Sequence, residues 1–345
     1  MLGTIINQNP SKAAPVLTRT NNPNSEYIQR LRAQGKATCF EDVKEVGSAE
    51  AEFDLALVES QTVEGHPLPG MAVVRADDRT AFRQVGDTFK LIQPRDLLNV
   101  ANEIRARTGA KLSQCRALKH GRHIAITLVL PGEETIGRDV NLKTVRIFAA
   151  NDGTGSAKFE AIAHRLWCRN AYQMVISGSR AGNSTTERTV RIWHTESGVD
   201  VIKTAGAVCN FLLPSIDAFR AEFERLVARP VSRPQLSDFY RLVAPPPAHP
   251  GPGASEEAMK KYDRACAKGN DRVSAWTQNF LREVNEGFPA SAWLAVNSVT
   301  EWAQHQYEPA GWLKNPEARE YAVLPGGTAY AMTAAAREAG LSLLN

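Results

Sequence analysis

The sequence predicts an α+β protein: an antiparallel β-meander backed by helices, followed by a helical C-terminal region. Three observations carry this. Between Lys111 and Thr195 apolar residues recur at every second position, as Ile124, Ile126, Leu128 and Leu130 do, and side chains two apart share one face of a strand. The connections there are short and rich in Gly, Pro, Asn and Asp, as hairpins require. Before and after this segment the apolar spacing is that of amphipathic helices.

In chain order, residues 1–25 are rich in Asn, Pro, Ser and Thr and read as a flexible arm. A short helix is expected at 25–34, then a polar, acidic stretch through Glu64. GHPLPG (65–70) marks a turn before a strand in MAVVR, and Gly86-Asp87 marks a hairpin-like turn. A helix starts at Gln93-Pro94 and ends at Gly109, with Leu97, Leu98, Val100, Ala101 and Ile104 as its apolar stripe. Strands follow at 123–130 and 140–150, and NDGTGS (151–156) turns the chain into a third, AKFEAIAHRLW. RNAYQMVIS (169–177) has helical spacing, a polar glycine-rich loop spans 177–186, and ERTVRIWHT (187–195) returns as a strand. A serine cap at Ser215 opens a helix that ends before Pro230. The proline-rich linker 244–255 separates a core domain at 26–243 from a helical region at 256–345. That region holds three helices, EEAMKKYDRACAKG, RVSAWTQNFLREVNEG and SAWLAVNSVTEWAQHQY.

Composition excludes several classes. With 43% hydrophobic and 23% charged residues in 345, the chain is of ordinary globular type. No apolar run approaches a membrane span of about 20 residues, and the N-terminus lacks the cationic start and apolar stretch of a signal peptide. The five cysteines are scattered without a C-x-x-C pair, which argues against disulfides and structural zinc. GxxxxGK[ST] and GxGxxG are both missing, so nucleotide hydrolysis and dinucleotide chemistry are not expected, and no cofactor is required. The net charge of +4 is uneven: residues 105–203 hold 16 basic and 8 acidic side chains, a surplus of +8, which suits a polyanionic partner.

Within that basic segment an arginine precedes an aromatic residue by two positions three times, as Arg146 and Phe148, Arg165 and Trp167, Arg191 and Trp193. On strands each pair shares a face. Guanidinium groups neutralise phosphates while aromatic planes stack splayed bases, at about 1 to 3 kcal/mol per base. The expected partner is therefore single-stranded DNA, with Arg122, Lys143, Lys158, Arg169, Asn170 and Arg188 extending the track. The plainer reading is that the aromatics are core and the arginines bury their stems.

Two alternatives stand beside this. Cys168 with His164 or His194, oriented by Asp152 or Glu196, has the residue types of a thiol nucleophile, and Asp139, Asp152, Glu160 and Glu196 are available to a metal nuclease. A cysteine beside tryptophan in a strand is more simply a small buried hydrophobe, and Asp152 a turn residue. The other alternative is an interaction protein that binds a host protein and counters host defence through residues 251–345.

QVGDTFKLIQP (84–94), HGRHIAI (120–126), NDGTGSA (151–157), RLWCRNA (165–171), His194-Thr195 and SAWLAVNSVTEWAQH (291–305) resemble, in this order, the phage/plasmid-like proteins of domain of unknown function 932. Where Trp167 stands that family usually has a smaller aliphatic residue, and where Ala171-Tyr172 stands it has Thr-Leu. The resemblance implies a phage or plasmid gene product acting in the bacterial cytoplasm. It also implies distant similarity to ring-forming single-strand annealing proteins, hence a homo-oligomer that holds DNA along a basic groove without catalysis.

Overall fold

The computed structural model describes residues 40–136, 139–165, 171–173, 189–203, 206, 209–210, 221–309 and 317–344, with the backbone alone at 134–136, 164–165, 171–173, 189–190 and 201. Two antiparallel sheets and a layer of helices make up the α+β fold.

A three-stranded meander comes first: β1 (Leu55–Gln61), β2 (Pro67–Arg75) and β3 (Ala81–Val85). β1 falls in the polar, acidic stretch, where no strand is expected, because its alternation is confined to a few residues and Leu55 alone reaches the core fully. The turn at its end is tighter than GHPLPG suggested: the Thr62 amide donates to the His66 carbonyl at 2.8 Å, and β2 already begins at Pro67.

Helix α1 (Pro94–Thr108) lies where its stripe and end signals put it. Asp96 accepts the Gln93 amide at 3.2 Å, Pro94 opens the first turn, and Gly109 closes the helix at φ 72°, a left-handed conformation that favours glycine. Gln93 also ties α1 to β1, exchanging side-chain hydrogen bonds of 2.9 and 3.0 Å with the Leu55 backbone.

The main sheet is a meander of β4 (Lys111–Leu118), β5 (His123–Ile136), β6 (Asp139–Ala150) and β7 (Ala157–Arg165), with β8 (Ala171–Gln173) and β9 (Thr189–Ile192) both paired along the outer side of β7. The helix expected at 169–177 is corrected: Ala171–Gln173 is extended and pairs with Ile162–His164, because ladder bonds to β7 outweigh a weak local helical spacing. One face of the sheet presents Ile124, Ile126, Val145, Ile147, Phe159 and Ala161 to the α1 stripe.

Beyond β9, α2 (Glu196–Lys203), α3 (residues 221–228), α4 (Arg233–Val243), α5 (Glu256–Asn285), α6 (Ala292–Glu301), α7 (Glu317–Ala322) and α8 (Thr328–Ser342) complete the described chain. The helices expected on either side of Gly269 are one continuous α5, since a glycine inside a helix costs only about 1 kcal/mol. Residues 245–254 carry no regular structure, as the proline-rich composition requires. The helices on both sides of that stretch share one core with the sheet: Phe239, Trp276, Trp293 and Ala336 belong to the same cluster as Phe159 and Ile104. Gly340 allows α8 to approach α6, where a Cβ would lie 2.4 Å from Val296. Among the described residues no helix is long and apolar enough to cross a membrane.

Candidate nucleic-acid interface

The second face of the main sheet decides which of the expected residues meet. In register across β6, β7 and β9 it carries Phe148, Lys158 and Arg191 in one row and Arg146, Glu160 and Thr189 in the next. Lys158 is half-buried and Arg191 exposed. Like charges at opposed positions repel. Burial lowers the Lys158 pKa and Arg191 lowers it further, while Glu160 opposes both. Two residues beyond Arg191, Trp193 is 60% exposed, which is uncommon for so large an apolar ring.

Arg146 and Phe148 correct the expectation. They are 6% and 3% exposed, covered by the segment around α7 and by α8. Leu324 packs on Phe148, Arg146 donates to the Val323 carbonyl at 3.3 Å, and the Tyr330 hydroxyl hydrogen-bonds the Glu160 carboxylate. Glu160 is itself fully buried beside Arg146, and burial raises its pKa against the pull of that guanidinium. Arg146 is thus matched by an internal carboxylate and cannot meet a phosphate in this arrangement. Period-two spacing located this face correctly but carries no information about a cover drawn from about 180 residues later.

Lys143 alternates with Thr144 and Arg146 and so lies on the face opposite Lys158, across from the buried Ala163. Arg122, half-buried in the β4–β5 hairpin, points its guanidinium at Phe82, 5.9 Å from the ring centroid, towards the small sheet. Neither joins the Lys158–Arg191 row. Arg165 is placed by its backbone alone, opposite Asn141 at the end of β7. Trp167, Cys168, Arg169, Asn170 and Arg188 lie outside the described residues, and of His164 only the pairing with Leu142 and Ala171 is described.

His194 is held tightly. Its ring stacks on Phe89 at 4.5 Å, Nδ1 lies 3.0 Å from the Lys90 carbonyl, and burial lowers its pKa. The carboxylates weighed for metal chemistry are dispersed. Asp139 accepts from the Trp293 indole N–H, Asp152 accepts from Thr154 within its own turn, Glu160 is engaged as above, and Glu196 sits in the first turn of α2. Among the described residues no group of three His, Cys, Asp or Glu side chains is placed to hold a metal.

Four of the sequence stretches that carry the resemblance converge at one end of the main sheet. Asn151 donates to the Gly121 and Arg122 carbonyls at 2.9 and 2.7 Å, and Lys90 donates its amide to the His194 carbonyl at 2.9 Å. Gly153, at φ 72°, presses against Val85, where a Cβ would lie 2.8 Å away. Here too stand Arg116, Lys119 and His123, which residue-type reasoning passed over. Their signal was faint: HGRHIAI within the +8 segment, and two positive-φ residues, Lys119 and His120, whose conformation only the folded chain displays. Burial pushes His123 down to about 4, with Lys119 and Arg122 adding to the shift and Asp152 opposing it, so the ring is neutral at pH 7.

Comparison with curated proteins and with solved structures returns no significant match. The family model described as "Domain of unknown function (DUF932)" matches residues 81–335, a span that holds all of the main sheet and most of the helical layer, and the chain belongs to that family.

Proposed function

We propose that the protein binds single-stranded nucleic acid along the β9 side of the main sheet and catalyses no reaction there. One observation carries this reading: Lys158 and Arg191 are opposed in register, with the 60% exposed Trp193 two residues on. Two cations without an exposed carboxylate between them suit a phosphate backbone, and an exposed indole beside them suits a stacked base. The basic surplus of residues 105–203 supports the same partner. His194, one of the two histidines offered to the thiol-enzyme alternative, is instead committed to Phe89 and the Lys90 carbonyl, and this favours binding over catalysis. The finer reading is that the chain oligomerises and holds DNA strands for annealing in phage or plasmid recombination, in the bacterial cytoplasm. It is supported by the resemblance to ring-forming annealing proteins and by the antiparallel meander with α1 behind it.

The test is fluorescence anisotropy of labelled single- and double-stranded oligonucleotides over a salt series, with the oligomeric mass measured alongside. Preferential single-strand binding that weakens steeply with salt supports the proposal. Absence of binding at low salt overturns it, and binding by a monomer removes the annealing refinement.

A further inference from the structure

The segment Glu317–Leu324, comprising α7 and the turn after it, lies over the second face of the main sheet where β4 turns into β5. It brings two carboxylates and an aromatic ring to groups of opposite or matching kind. Glu317 accepts the Lys119 amide at 2.9 Å. Glu320 accepts from the Gln114 side chain at 3.2 Å and stands 3.4 Å from the Arg116 guanidinium, whose Nε also meets Glu50 at 3.1 Å. The Tyr321 ring lies 3.6 Å from the Lys119 ammonium and 5.0 Å from the His123 ring. Carboxylate on cation and ring on ring form the contact set by which phosphates and bases of a single strand are held.

The apolar anchorage of this segment is divided between two small clusters. Leu324 and Tyr321 pack on Leu118, Ala125 and Phe148, while Ala322 and Val323 pack beside Ala303 and Ala329 on the helical side; both clusters are separate from the main core, and such peripheral clusters open at lower free energy than the core. Gly326, at φ 100°, and Gly327 join the segment to α8. A glycine pair tolerates the backbone change that lifting requires.

We propose that residues 317–324 form an autoinhibitory strap, an internal surrogate for single-stranded nucleic acid that a polyanion displaces. Lifting it adds Lys119 and the His123 ring to the surface that begins at Lys158 and Arg191, and frees the partly exposed Arg116 from Glu320. This rests on the reading that the sheet binds single strands. The strap makes the binding-competent state a minority, so apparent affinity falls by the fraction of molecules that are open.

The experiment compares oligonucleotide affinities of the full chain, the double variant Glu317→Gln/Glu320→Gln, and Tyr321→Ala, which changes no charge. A control, Glu256→Gln/Glu257→Gln at the exposed start of α5, makes the same change in net charge far along the chain. Circular dichroism melts establish that each variant is folded at the assay temperature. With a strap that is closed in about nine molecules of ten, both strap variants bind about tenfold more tightly. The control stays within about twofold of the unaltered chain, because exposed charges distant from the site are screened. If the unaltered chain binds and the strap variants match it or match the control, the strap is overturned and the binding reading stands. If no form binds, the binding reading falls and the strap with it. Binding by the strap variants alone supports both.

Discussion

Lys158 and Arg191 stand directly opposite one another across β7 and β9, two cations sharing one register position on the face that also carries the buried pair Arg146 and Glu160. Glu160, in the next row, is enclosed and attracts both cations from within, while among the described residues no exposed carboxylate shares the row of Lys158 and Arg191.

Arg191→Ala and Lys158→Ala are expected to lower affinity for every single-stranded sequence alike, each reducing the slope of log affinity against log salt by about one. Trp193→Ala costs about 1 to 3 kcal/mol of binding while leaving that slope unchanged, because stacking releases no counterions. Anisotropy at four or more salt concentrations separates the two effects. Equal slopes for all three variants would argue against the assigned roles.

Arg146→Ala belongs to stability rather than binding. Removing the guanidinium takes one of the opposing charges away from the buried Glu160 and removes the hydrogen bond to the Val323 carbonyl, a loss of about 1 to 3 kcal/mol. Urea unfolding is expected to show this loss, and replacing both residues together, Arg146→Met with Glu160→Leu, is expected to recover most of it. A double variant no better than the single one would show that the pair is not the source of the effect.

His123 gives the protein an acid-side weakness. Its folded pKa is held near 4, below the ordinary 6.5, so above pH 6.5 the ring is neutral in both states and adds no pH dependence. As pH falls from 6.5 towards 4 the unfolded chain takes up a proton that the folded chain refuses, and stability declines; below 4 the decline ceases. His123→Phe keeps a ring between Phe148 and Tyr321 and removes the titration. Thermal melts at pH 7 and pH 4.5 should differ less for this variant than for the unaltered chain.

Two glycines should respond oppositely to alanine. Gly153→Ala forces a left-handed residue and a Cβ 2.8 Å from Val85, a loss of about 1 to 2 kcal/mol or more. Gly269→Ala lies inside α5 with open space around it and should gain about 0.5 to 1 kcal/mol. Differential scanning calorimetry of both variants checks the signs, and a stabilised Gly153→Ala would show that the NDGTGS turn has room to relax.

Periodicity and end signals were enough for α1, for the meander β5–β6–β7 with its NDGTGS turn, and for the unstructured proline-rich stretch, because each rests on residues within a few positions of one another. They were enough, too, to put Arg146, Phe148, Lys158 and Arg191 on one face, since alternation along paired strands is a local property. What lies on that face is a long-range matter. Tyr330 reaching Glu160, Leu324 covering Phe148, and Glu317 meeting Lys119 join residues about 170 to 200 positions apart, and no spacing rule within a strand encodes them. The same limit hid β1, and it made Ala171–Gln173 look helical until β7 offered a ladder. Local chemistry therefore specified which side chains a strand can present, while burial beneath chain that folds back from the far end determined which of them, Lys158, Arg191 and Trp193, remain at the surface.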